Sequence, residues 1–226
     1  MEKTLYTQED RTIVEASLRL SQQLDLKFKP GRVSWVRVPS IRLYSSDYCV
    51  FDNSRIFVPL TLRGRLDSAE WTTLIAPSII FASDARIKWR YRLATLFFVP
   101  YILGGMTLGF FIGFRVLHLQ AGSVSATLFS VVFLSLFLAF FIFTSNTVKL
   151  YTKKIWLSAD RGAVPLVGRQ KLLEILKKID AMKLADIEDL KNRSPSVWNV
   201  WRKNTWRPSI AQRMDDLQTS PSRFER

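Results

Sequence analysis

The chain has 226 residues, with 33 Lys and Arg against 19 Asp and Glu, a formal charge of +14, one histidine and one cysteine. A structural zinc site usually takes four Cys or His ligands and a catalytic one several His, so this chain is not expected to build either alone; a single cysteine also excludes an internal disulfide, a CxxC redox pair and a haem-attachment motif. The charge is unevenly spread: residues 93–148 hold a single full charge, Arg115, which reads as a membrane segment with charged flanks.

Taken in chain order, residues 7–24 place Ile13, Val14, Leu18, Leu20 and Leu24 on one side, with Ser17 and Ser21 among them. Glu15, Arg19, Gln22 and Gln23 fall on the other, so the spacing predicts an amphipathic helix. Pro30-Gly31 marks a turn. Residues 33–38, 47–51 and 55–60 are β-branched and aromatic runs and predict three strands, the last two joined as a hairpin through Asp52-Asn53-Ser54. Asp67, followed three residues later by Glu70, predicts the N-terminus of a helix through Trp71, Leu74, Ile75, Ile79 and Ile80, with Pro77 inside it.

Residues 93–114 and 124–143 are uncharged runs, each long enough to cross a hydrocarbon core of about 30 Å, and with 115–123 as the turn they predict a two-helix transmembrane hairpin. Arg86, Lys88, Arg90 and Arg92 precede it and Lys149, Lys153 and Lys154 follow it, against Arg115 in the turn. That asymmetry puts both termini on the positive-inside face. Gly105, Gly109 and Gly113 form a stripe for close helix packing. Residues 160–182 predict a helix with Leu172, Leu173, Ile175, Leu176 and Ile179 as its buried stripe. Beyond residue 191 basic and aromatic residues alternate, and Trp198, Trp201, Arg202, Trp206 and Arg207 are expected to dock onto a protein partner or anionic lipid. The organisation is thus 1–92, the hairpin at 93–148, 149–190, and a basic Trp-rich tail at 191–226.

Four stretches carry a resemblance. Ile56-Phe57-Val58-Pro59-Leu60 with Leu66-Asp67-Ser68-Ala69-Glu70 is similar to the strand and helix start that lead into the HExxH motif of membrane-embedded zinc metallopeptidases of the HtpX and CAAX-prenyl-protease type. Leu74-Ile75-Ala76-Pro77-Ser78-Ile79-Ile80-Phe81 lies over that family's "L-I-A-H-E-L-G-H", and Ser158-Ala159-Asp160-Arg161-Gly162-Ala163 over "E-A-D-R-x-A". Trp206-Arg207-Pro208-Ser209-Ile210-Ala211-Gln212-Arg213-Met214 resembles the closing "T-H-P-S-x-x-x-R-I". The resemblance implies an α+β membrane protein, a degenerate gluzincin-like core of helices and a small sheet interrupted by the hairpin.

The departures bear on function. The two zinc histidines fall on Pro77 and Phe81, the catalytic glutamate on Ser78, the third ligand on Trp156, and the tail histidine on Arg207. Proline and phenylalanine offer zinc no lone pair, serine is a poor general base, and an indole N–H only donates. Asp160, a residue that supports the metal site in the family, and Arg161 are expected to remain as an ion pair or helix cap. The expectation is therefore a catalytically inactive protein without cofactor, an accessory subunit of a larger membrane complex such as a respiratory or ATP synthase complex of the mitochondrial inner membrane, with its termini in the matrix. The alternatives are an active hydrolase with non-standard or partner-supplied ligands, and a membrane tether for ribosomes or RNA. The positive charge suits phosphate, but no RNA-binding module is visible, which disfavours RNA, and no DNA partner is expected. Cys49, in a predicted strand without a neighbouring histidine, reads as a small core residue.

Overall fold

The computed structural model describes residues 7–26, 29–37, 45–52, 54–84, 104, 111–112, 124–191 and 207–220. The chain divides into two compact units, Met1–Asp84 with Thr152–Arg226, and Ala85–Tyr151.

The first unit opens with helix α1, Gln8–Gln23, whose N-terminus is closed by a reciprocal capping box between Thr7 and Asp10. Ile13, Ala16, Ser17, Leu20 and Ser21 form its buried stripe, and the two serines satisfy themselves by donating to the carbonyls one turn back, Ile13 and Ser17. Strand β1, Arg32–Val36, then pairs in parallel with β3, Arg55–Pro59, in the register Arg32 to Arg55 and Trp35 to Val58. The predicted hairpin forms: β2, Val50–Asp52, runs antiparallel to β3 with Val50 opposite Phe57. The sheet order is β1-β3-β2. The central β3 buries Ile56 and Val58, the two-residue alternation of a strand with one face in the core. The predicted strand over 47–51 is shorter than expected because Asp47 is drawn into a turn by buried ion pairs.

Helix α2, Ser68–Ser83, starts where Asp67 and Glu70 close a second capping box. It stays helical through Pro77, so the proline removes a backbone donor without ending the element. Helix α3, Val124–Val167, is followed by α4, Arg169–Ala181, and α5, Ala185–Lys191. The single helix expected over 160–182 is broken at Gly168, whose φ of 90° is in the left-handed region and ends α3. Helix α6, Ile210–Thr219, carries a third capping box, Ser209 with Gln212.

One apolar core joins these elements: Ile13 and Leu20 of α1, Ile56 and Val58 of β3, Trp71, Leu74 and Ile75 of α2, Leu172 and Ile179 of α4, Ile187 of α5 and Leu217 of α6. Leu172, Leu173, Ile175, Leu176 and Ile179 are the buried face of α4, as their helical spacing predicts. Glu9 and Asp10, both in the first turn of α1, accept from the indole N–H groups of the buried Trp71 and the partly buried Trp35, so both tryptophans keep partners for their polar edges.

The second unit gives the main correction to the sequence reading. Among the described residues no helix is long and apolar enough to cross a membrane, which overturns the transmembrane hairpin, the α+β membrane fold class and the placement in the mitochondrial inner membrane with matrix-facing termini. The second apolar run is the opening of a 44-residue helix that continues without a break into the charged sequence of Lys153, Lys154, Asp160 and Arg161. It is not an isolated span. In the part of α3 belonging to the second unit, Phe129, Phe133 and Phe137 stack in succession, and Val124, Leu128, Val131 and Leu136 are exposed. Most of the first run, the turn with His118, and Gly105, Gly109 and Gly113 lie outside the described residues. The fold is thus mostly helical, with a small three-stranded sheet.

Candidate functional site

The four positions singled out from the sequence converge within the first unit. Pro77 and Ser78 are buried in the second half of α2, one turn before Phe81. Phe81 stacks on Trp156 of α3, with centroids 3.8 Å apart and planes 17° from parallel. Tyr48, in the turn before β2, meets the same indole edge-on at 5.0 Å. Three aromatic rings therefore occupy the space between turn, α2 and α3. Ile79 is part of the main core, and Ile80 lies against Gly162, where an added methyl would sit 3.5 Å from its side chain.

Ser78 and Cys49 are both buried. Ser78 Oγ accepts from the Cys49 backbone N–H at 3.0 Å and donates to the Leu74 carbonyl at 3.1 Å, so its hydrogen-bonding roles are structural. Burial pushes the Cys49 thiol well above its usual range, the reverse of what a reactive thiolate needs.

Beside the aromatic rings lies a buried charge network. Arg213 of α6 donates through Nε and Nη2 to both oxygens of Asp160, at 2.8 and 2.7 Å, and through Nη1 to the carbonyl and carboxylate of Asp47, at 3.0 and 3.1 Å. Arg207 Nη1 donates to the other oxygen of Asp47 at 2.6 Å. All four side chains are buried. The arginines also lie over the rings, Arg207 4.4 Å from the Tyr48 centroid and Arg213 6.0 Å from that of Trp156. Burial alone would raise the Asp47 carboxyl, but the adjacent Arg207 and Arg213 outweigh it and hold the group at about 2. At Asp160 burial wins, and its carboxyl is raised even though Arg213 pulls it down.

Asp160 and Arg161 pair with different partners from those expected. Asp160 binds Arg213, and Arg161 reaches out to Asp216 with two hydrogen bonds, at 2.8 and 2.5 Å. Both contacts fasten α6 to α3. Arg207, expected on a docking surface, is buried on Asp47, while Trp198, Trp201, Arg202 and Trp206 lie outside the described residues. The turn is tied from its other side by Asp186 of α5, which accepts from Ser45 Oγ, Ser46 Oγ and the Ser46 backbone N–H.

The donor set of this cleft does not fit the zinc ion that the family resemblance implies. Phe81, Pro77 and Trp156 have no lone pair to offer, and the carboxylates nearest them are engaged by arginines. The rings and carboxylates gathered here hold two guanidinium groups. Sequence reasoning missed Asp47, Tyr48 and the role of Arg213: a single acid at position 47 has no spacing that links it to arginines 160 and 166 residues away. No family model matches the chain, and no curated protein matches it either.

Proposed function

We propose that the protein is a catalytically inactive, peptidase-like protein that serves as a structural accessory subunit of a larger protein assembly. The observation that carries the reading is the Phe81–Trp156 stack: at the two positions where the resemblance calls for a zinc histidine and the acidic third ligand, two aromatic rings pack face to face. The surrounding carboxylates support it, because Asp47 and Asp160 bind the C-terminal segment through arginine. The assembly half of the reading rests on the second unit, where Val124, Leu128, Val131, Leu136 and other large apolar side chains of α3 are more than half exposed. Protein surfaces of that kind are places of contact with other chains.

Two measurements test the halves separately. Native mass spectrometry of the protein taken gently from its own source is expected to give a species heavier than the 26.2 kDa chain; a lone chain would overturn the subunit role. Metal analysis combined with a peptidase assay on the purified protein is expected to find neither zinc nor cleavage, and stoichiometric zinc with turnover would overturn the inactive reading.

A further inference from the structure

The sheet ends on β2, three residues long, at one edge and on β1, five residues long, at the other. Arg32 N–H donates to the Ser54 carbonyl at 3.2 Å. In the parallel register with β3, the backbone groups of Arg32, Ser34 and Val36 therefore face β3, and those of Val33 and Trp35 face away from it. Among the described residues β3 is the only strand paired with β1, so the N–H and C=O groups of Val33 and Trp35 line an edge that a further strand can join. Within Arg32–Val36 there is no proline or glycine to blunt that edge.

The strand is already held in place from its core side. Trp35 donates its indole N–H to Asp10 of α1 at 2.7 Å, meets Trp71 of α2 edge-on at 5.9 Å, and lies under the Arg63 guanidinium, 5.1 Å from the ring centroid. An edge fixed in this way loses little freedom when another strand arrives. The exposed charge along it is positive: Lys29 and Arg32 at its start, Arg55 directly opposite Arg32 on β3, and Arg63 over Trp35. Lys29, Arg32 and Arg55 form no ion pair among the described residues, and like charges opposed across two strands repel. A second copy of the chain would bring the same cations to this edge, whereas acidic side chains on an incoming strand would offset them.

We propose that the outer edge of β1 takes up an extended, acidic segment of a partner protein as an added strand, with the backbone of Val33 and Trp35 supplying the ladder and Arg32, Arg55 and Arg63 the preference for acidic side chains. The inference requires neither the loss of peptidase activity nor the exposed face of α3.

The test uses the full-length chain and a short labelled peptide, Thr-Glu-Val-Thr-Glu-Val, blocked at both ends and followed by fluorescence anisotropy. The peptide is expected to bind, and its analogue with lysine in place of glutamate is expected not to. The same acidic peptide methylated on every backbone nitrogen keeps its charge but cannot donate to a ladder, and its binding should be lost. Arg32→Glu, at an exposed position, should weaken binding about tenfold. Val33→Pro, which removes an outward N–H and leaves the groups that face β3 in place, should abolish it; if that variant fails to fold, the methylated peptide makes the same comparison on the unaltered chain. No binding at millimolar peptide, equal affinity for the lysine analogue, or equal affinity for the methylated peptide would each overturn the proposal. Sedimentation showing a wild-type dimer that Val33→Pro or Arg32→Glu dissolves would assign the edge to a second copy, and would overturn the acidic partner.

Discussion

Trp156 is the side chain that closes the cleft, since it touches Phe81 on one face and Tyr48 on an edge while being almost wholly buried. Trp156→Ala should therefore cost about 3–5 kcal/mol in chemical denaturation, the range for removing a large buried aromatic. The Phe81–Trp156 double-mutant cycle should leave a coupling of about 1 kcal/mol, because stacked rings interact beyond the area they bury. A coupling near zero would mean that the rings merely fill space side by side. The charge network behaves differently. Arg213→Met leaves Asp160 buried and unpaired, at a cost of about 3–5 kcal/mol, whereas Arg213→Met combined with Asp160→Leu should recover much of that loss, because an apolar pair removes the stranded charge. Urea midpoints of the two variants make the comparison. Sequence alone points to Phe81 and Trp156 as residues in places where a zinc enzyme has other groups. It does not show that they meet: that depends on a contact between α2 and α3, which no local pattern specifies.

The helices of the first unit were legible where their signals are local. Thr7 with Asp10, Asp67 with Glu70, and Ser209 with Gln212 are three capping boxes of one kind; the second stands out at the head of an apolar run, whereas the third is hidden in a tail whose arginines and tryptophans dominate its composition. Ser209→Ala should destabilise by about 1 kcal/mol and loosen α6 in hydrogen exchange before the rest of the core. Gly168 is the clearest break that sequence reading passed over, because Leu166, Val167 and Leu172 continue an apolar pattern across it. Nothing lies within 4 Å of a Cβ built at this glycine, so Gly168→Ala meets no clash and isolates the backbone cost. With φ at 90° the substitution should destabilise by about 1–2 kcal/mol. A neutral result would show that the α3–α4 junction can adopt another conformation. Strand β2 starts later than the sequence predicts for the opposite reason: the residues favour an extended run from Asp47, but ties from Asp186, Arg207 and Arg213 claim the turn first.

Across the whole molecule, the apolar composition of residues 93–148 outweighed every finer signal and led to a membrane span, although α3 carries its helix onward into sequence whose buried side chains belong to the first unit's core, Ala163 among them. What unites that unit is the distance in sequence between its fastenings: Asp47 with Arg213, Asp160 with Arg213, Glu70 with Lys178. The buried members of this set make stability depend on acid in two opposing ways. Asp47 is held at about 2 from an ordinary 3.8, so its ionised form stabilises the fold above the unfolded value, and that contribution, about 2 kcal/mol, is lost as pH falls through the folded value. Asp160 is shifted upward; its folded form holds the proton more tightly than the unfolded chain does, so it costs stability as pH rises through that shifted value and relieves the cost as pH falls. Urea unfolding of the wild-type chain should then lose stability between pH 4 and pH 2 by less than Asp47 alone would give, and Asp160→Asn should steepen the loss by removing the opposing group. Asp47→Asn should flatten or reverse it. An acid slope unchanged by either substitution would mean that exposed carboxylates, and not the buried arginine pairs, govern how this fold opens in acid.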